Sequence, residues 1–234
     1  MTFVSFVVKN GFPVKNGRTV NGNLEIREGE LPEGWRWATV GEIGSITGGI
    51  IKNSKRNVLP KKLPYLRVAN VYANELALDD VSEIGVEENE IERALLKKGD
   101  LLVVEGNGSA DQIGRVAIWD GSISPCLHQN HIIKVRFVPP EIAEFALCWL
   151  LSKDGREHIT KVASSTSGLY TLSLSKVSSL PIPLPPLEEQ RRIVAEVERR
   201  LSVVGEVESA VEVGLARAAK LRQAILRSAF EGRL

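Results

Sequence analysis

The segment C-L-H-Q-N-H places Cys126, His128 and His131 close together, and those residue types raise zinc chemistry first. Run as a strand, it sends Cys126, His128 and Asn130 to one side and Gln129 and His131 to the other, so the three cannot converge on one ion. E-G-N-G-S-A-D-Q-I-G, Glu105 to Gly114, offers a G-x-G. Its next glycine is wrongly spaced and it leads into a strand, which argues against a dinucleotide or AdoMet cradle. No G-x-x-x-x-G-K-S/T and no G-x-S-x-G elbow occurs. The Pro139-Pro140 and Pro185-Pro186 pairs lack the preceding Asp or Asn and following aromatic of an amino-methyltransferase site. His158 reads as a surface or capping residue. No residue is assigned a catalytic or metal-binding role.

The remaining polar segments suit nucleic acid. Lys52, Lys55 and Arg56 in I-I-K-N-S-K-R, with small polar neighbours, fit phosphates. Arg67 and Asn70 in R-V-A-N, and Asn107, Ser109 and Gln112 in N-G-S-A-D-Q, are types that pair with base edges. So are His128, Gln129 and Asn130 in H-Q-N, and Ser165, Thr166, Ser167 and Tyr170 in S-S-T-S-G-L-Y. Any one of these segments reads equally well as an ordinary surface loop. The net charge of +1 hides an acidic block of eight residues between Glu75 and Glu92 and a basic excess around it. That distribution allows a phosphate-facing surface with an acidic back, and equally a mixed solvated surface.

The elements that must position these segments alternate short apolar runs with turn signals, which predicts a strand-rich α+β domain over residues 31–186. L-L-V-V-E and R-V-A-I-W read as buried strands joined by a glycine-rich connection, and I-I-K-V-R-F as a half-buried strand. Ile142, Phe145, Ala146, Trp149 and Leu150 share one helical face, with Asp154-Gly155 expected to end that helix. Residues 1–30 carry three Asn-Gly turns and predict a hairpin arm or extension.

Residues 187–234 differ in kind. Val194, Val197, Leu201, Val204, Val211, Leu215, Ala218 and Ile225 recur at helical spacing with charges between them, so one helix of roughly 70 Å carries a narrow apolar seam. Glu188 and Glu189 begin it and arginines end it, the polarity that the helix dipole favours. A seam that long needs a second helix. Before it, P-I-P-L-P-P cannot enter a helix or a central strand and is expected to run as a stiff extended link.

Several segments together resemble the specificity subunit of type I restriction-modification systems. They are L-P-E-G-W-R-W-A-T-V-G-E-I at Leu31, P-Y-L-R-V-A-N-V at Pro64, K-K-G-D-L-L-V-V at Lys97, H-Q-N-H-I-I-K-V-R at His128 and S-G-L-Y-T-L-S at Ser167. The strongest are P-I-P-L-P-P-L-E-E-Q-R-R-I-V and the terminal L-R-Q-A-I-L-R-S-A-F-E-G-R-L. The resemblance implies a target-recognition domain reading one half of a bipartite double-stranded DNA sequence, and a helix acting as a ruler. That family usually carries two such domains and two antiparallel helices per chain, so this chain resembles a half-subunit whose two copies form a homodimer with an antiparallel coiled coil. A truncated subunit is the competing explanation. The resemblance further implies a non-catalytic chain without bound cofactor, with AdoMet, ATP and Mg belonging to separate modification (methyltransferase) and restriction subunits.

Two alternatives stay open: a self-contained DNA enzyme, and a protein-interaction scaffold whose helix forms a coiled coil without base reading. Two cysteines without ligand spacing, no secretory pattern and no bilayer-spanning stretch predict a cytoplasmic protein without a membrane partner.

Overall fold

Short apolar runs bounded by turn residues become strands in the computed structural model, which describes residues 18–20, 23–25, 31–107, 109, 112–166 and 169–233. Strands β1 (Arg18–Val20) and β2 (Asn23–Glu25) form an antiparallel hairpin with Val20 opposite Asn23. The expected turns at Asn10 and Asn16 lie outside the described residues. Gly34, at φ +82°, turns the chain into β3 (Arg36–Thr39), the single-turn helix α1 (Val40–Ile43) and β4 (Gly44–Gly48).

After a 3-10 turn at Ser54–Val58 come β5 (Lys62–Leu66), β6 (Val71–Tyr72), β7 (Glu75–Leu76), β8 (Ser82–Gly85) and α2 (Glu88–Ala94). The middle of the domain supplies β9 (Leu101–Val104), β10 (Gly106–Asn107), β11 (Val116–Ile118), β12 (Leu127–His128) and β13 (Ile132–Phe137). Helices α3 (Ile142–Leu151) and α4 (Lys153–Val162) precede β14 (Ser164–Thr166), β15 (Leu169–Thr171), α5 (Leu174–Ser178), β16 (Pro181–Leu184) and the long α6 (Leu187–Phe230).

The expected strands L-L-V-V and V-A-I pair antiparallel as β9 and β11 in a four-stranded sheet of order β11-β9-β13-β4. A second sheet, β12-β5-β8, joins β12 to β5 in parallel, with Leu127 opposite Tyr65 and His128 opposite Leu66. One apolar cluster holds Leu102, Val104, Ala117, Trp119, Cys126 and Ile132, and another holds Ile50, Tyr65, Ile84 and Leu127. Burying a side chain of Leu, Ile or Phe size contributes about 1.5–3 kcal/mol, so these clusters set the positions of the loops that leave the strands.

Three local expectations are corrected. β13 is not half-buried by simple alternation: Lys134 is 3% exposed and donates from Nζ to the carbonyl oxygens of Arg93 (2.7 Å) and Leu95 (3.0 Å). A cation beside the last carbonyls of α2 suits the helix dipole, and burial pulls the Lys134 pKa down to about 8. Asp154-Gly155 does not end a helix; it lies in the first turn of α4, where the Ser152 hydroxyl caps by accepting from Gly155 N at 3.1 Å. A Cβ on Gly155 would lie 2.1 Å from Trp149 O, so glycine permits the close turn between α3 and α4.

The third correction concerns the proline run. Pro181–Leu184 is strand β16, paired antiparallel with β3 in register Pro181 to Thr39 and Leu184 to Arg36. Proline at alternate positions makes this possible, because a strand turns successive backbone groups to opposite sides. The carbonyl of Leu180 accepts from Val40 N on the β3 side (3.0 Å), whereas that of Pro181 accepts from Trp149 Nε1 (2.8 Å). Pro181 and Pro183 thus put their missing N–H groups on the side away from β3. The run is an edge strand of the domain, with Ile182 fully buried, rather than a free link.

The chain divides into two compact units, Met1–Arg191 and Arg192–Leu234. In the second, Val194 is 7% exposed and Val197 half-buried, while Leu201, Val204, Val211, Leu215 and Ile225 are between 49% and 66% exposed and Ala218 is exposed as well. The seam is therefore open from Leu201 onward but not at Val194. Among the described residues, no helix is long and apolar enough to cross a membrane.

Candidate nucleic-acid interface

The turn from His128 to His131 organises the polar segments. Ile50 N donates to His128 O at 2.8 Å and Asn130 N donates back to Ile50 O at 3.0 Å, which ties down the chain just before Lys52. Gln129 N donates to Leu66 O at 2.9 Å, next to Arg67. Glu105 N donates to His131 O at 2.9 Å, and Leu172 N to Glu105 O at 2.7 Å. β10, immediately after Glu105, then pairs with β15, and β15 with β14, so Asn107, Tyr170 and Ser165 fall in one cross-strand row. Four segments scattered over more than a hundred residues are thus one or two backbone hydrogen bonds from a single turn. His131 and Glu105 add a side-chain hydrogen bond (Nδ1 to Oε2, 2.8 Å) that the sequence reading did not single out.

The structure separates the candidate side chains into two groups. Arg56 is internally committed: its guanidinium forks Glu90 (2.8 and 2.6 Å) and donates to Ile51 O (2.6 Å) and Gly85 O (3.1 Å). The Arg56 fork holds Glu90 at about 2, far below the usual carboxylate range. Asn70 is 3% exposed, accepts from Arg67 N (2.8 Å) and donates to Ala77 O (2.7 Å) and Asp80 O (2.9 Å). Arg67 donates to Asp80 Oδ2 at 2.7 Å. Their hydrogen bonds brace the loops from within the domain.

His128 is also internal. It is fully buried, its Nδ1 donates to Ile132 O at 2.9 Å, and its Nε2 has no hydrogen-bond partner among the described residues. Burial, reinforced by the nearby Lys134 cation, drives its pKa down to about 4, so the ring is neutral at pH 7. Cys126 is buried and its thiol pushed up to about 12 by burial, while His131 is exposed. Among the described residues no group of three or more His, Cys, Asp or Glu is placed to hold a metal.

Lys52, Lys55 and Gln112 are exposed, and Ser109, Gln129, Asn130 and Tyr170 half-buried. Asn107, Ser165 and Thr166 are placed by their backbone, and Ser167 lies outside the described residues. Lys52 lines a cleft of about 340 Å³ with Asn53, Arg56, Asn57, Lys62, Tyr65, Ser82 and one carboxylate, Glu83. Lys62 and the two asparagines were missed by the sequence reading, because strand β5 reaches the 3-10 turn only through its pairing with β8. Their charge and hydrogen-bonding capacity suit an anionic backbone, and the amide and phenol groups near the turn suit base edges.

A strand framework gathers polar loops at one turn, and a long helix with an open apolar stripe follows it in the chain. The model of the type I restriction modification DNA specificity domain matches residues 32–200, and the chain belongs to that family. The specificity subunit of the type I restriction enzyme EcoKI of Escherichia coli K12 is 30% identical over 187 residues, covering 78% of this chain and 39% of that protein. The StySPI specificity subunit of Salmonella potsdam is 28% identical over 219 residues, covering 92% and 47%. The crystal structure of the HsdS subunit from Thermoanaerobacter tengcongensis matches with a TM-score of 0.58 at 24% identity, over 88% of this chain and 47% of that one. A chain from a type I R-M system, studied for complex assembly and conformational transition, gives 0.63 at 23% identity over 88% and 48%. Both support the α+β fold with its long C-terminal helix. The chain spans less than half the length of these relatives.

Proposed function

We propose that this chain is a sequence-specific double-stranded DNA recognition subunit of a type I restriction-modification complex, itself non-catalytic. The observation that carries the reading is the His128–His131 turn, which holds four polar segments beside one another on a domain of the specificity family. Lys52 and Lys55 position the duplex through phosphates, while Gln112, Gln129, Asn130 and Tyr170 face base edges. One domain reads one half of a bipartite target, and two copies joined antiparallel through α6 read both halves as an inverted repeat. Modification subunits carrying AdoMet, and restriction subunits carrying ATP and Mg, assemble around that dimer in the cytoplasm.

Selection of duplexes from a random-sequence pool, using the chain together with its modification subunit, tests the reading. A reproducibly enriched motif is expected. A bound pool with no sequence preference at any salt concentration would end the proposal.

A further inference from the structure

The exposed seam of α6 is interrupted twice, by charges of opposite sign. At about 100° per residue, Glu208 and Arg222 each fall within about 20° of Leu215, in the middle of the apolar face rather than at its rim. They stand seven residues before and seven after Leu215, so each lies about 10.5 Å from it along the axis. Both are exposed, and neither has an ion-pair partner among the described residues. Near the start of the helix, charges are neutralised by neighbours along it: Glu188 pairs with Arg191, and Glu196 with Arg199 and Arg200.

The same polarity extends along the helix. Between Gly205 and Gly214 the charged residues are Glu206, Glu208 and Glu212, all acidic. From Leu215 to Phe230 they are Arg217, Lys220, Arg222 and Arg227, all basic. A parallel pair of copies would set Glu208 against Glu208 and Arg222 against Arg222. An antiparallel pair centred at Leu215 sets acidic against basic at both ends.

We propose that the seam of α6 is covered by a second copy of this chain, antiparallel, with the two-fold axis beside Leu215 and Glu208 of each copy paired with Arg222 of the other. This inference rests on the dimer reading above and adds to it the register. Charged residues inside a seam lower the strength of association but reject the parallel and slipped arrangements, in which each charge would be covered without a partner. The register in turn sets the distance between the two recognition domains, and with it the spacer of the DNA target.

The test uses the full chain in sedimentation equilibrium with charge-reversal variants. Glu208→Arg or Arg222→Glu alone should weaken the dimer roughly tenfold or more, by opposing like charges at both symmetric contacts. The double reversal should restore the wild-type dissociation constant to within about threefold. Leu215→Cys should form a disulfide-linked dimer on oxidation, whereas Val213→Cys, on the far face, should not. A wild-type dimer with no rescue by the double reversal and no crosslink at residue 215 overturns the register while leaving dimerisation standing. A wild-type chain that is monomeric at micromolar concentration overturns both.

Discussion

A Cβ placed on Gly49 would lie 2.0 Å from the carbonyl oxygen of His128. Backbone meets backbone there, and no rotamer change can relieve the clash. Glycine at this position lets Ile50 and His128 join at 2.8 Å and so brings the Lys52 segment to the central turn. Gly49→Ala is therefore expected to destabilise the domain by about 2–4 kcal/mol in chemical denaturation. Any surviving folded protein should bind DNA with reduced sequence preference. A stable variant with unchanged selectivity would show that the turn does not organise the loops.

Lys52 and Lys55 should differ from Arg56 in kind. Replacing either lysine with glutamine is expected to weaken binding about equally on all duplexes and to lower the salt slope by about one unit. Arg56→Gln instead leaves the half-buried Glu90 without its partner and should cost about 2–4 kcal/mol of folding stability. Urea titration and salt-dependent anisotropy on the same variants separate the two effects.

His128 makes the domain acid-sensitive. Its folded pKa of about 4 lies below the ordinary value of 6.5, so the unfolded chain binds the extra proton between those limits. Stability rises with pH through that window and is lost as pH falls from about 6.5 toward 4, by up to about 3 kcal/mol from this group. Asn can supply an N–H toward Ile132 O without titrating in this range. The His128→Asn variant, compared with wild type by urea denaturation at pH 4.5 and 7, should show a smaller difference between the two pH values.

The open stripe of α6 predicts association. Leu201, 57% exposed in the single chain, is covered once a second helix packs on it. Leu201→Asp places a charge there and is expected to raise the dimer dissociation constant at least a hundredfold, read by light scattering, with the thermal stability of the recognition domain unchanged. Equal dimerisation of variant and wild type would move the contact to another face.

Much of the framework was legible before the structure. Apolar runs such as L-L-V-V carry β-branched residues between turn signals, and the seam of α6 declares its period over eight positions. What escaped is what depends on distant closure. Asn70, His128 and Arg56 have residue types that suit nucleic-acid contacts, and their internal bonds to backbone carbonyls and to Glu90 become visible only once the fold brings distant segments together. The proline run was misjudged because a ban on central strands leaves an edge open when the prolines alternate. The gathering of Glu105, His131 and Leu172 rests on backbone hydrogen bonds, to which side-chain identity gives almost no clue.

The central claim, that two copies of one domain read both halves of a target, is tested most directly by mapping methylated sites across the genome of cells carrying the complete system with this chain. The expected result is a split motif whose halves are inverted repeats, with Asn130→Ala or Gln112→Ala relaxing the same position in both halves at once. An asymmetric motif, or a substitution that alters one half and leaves the other intact, would contradict the account.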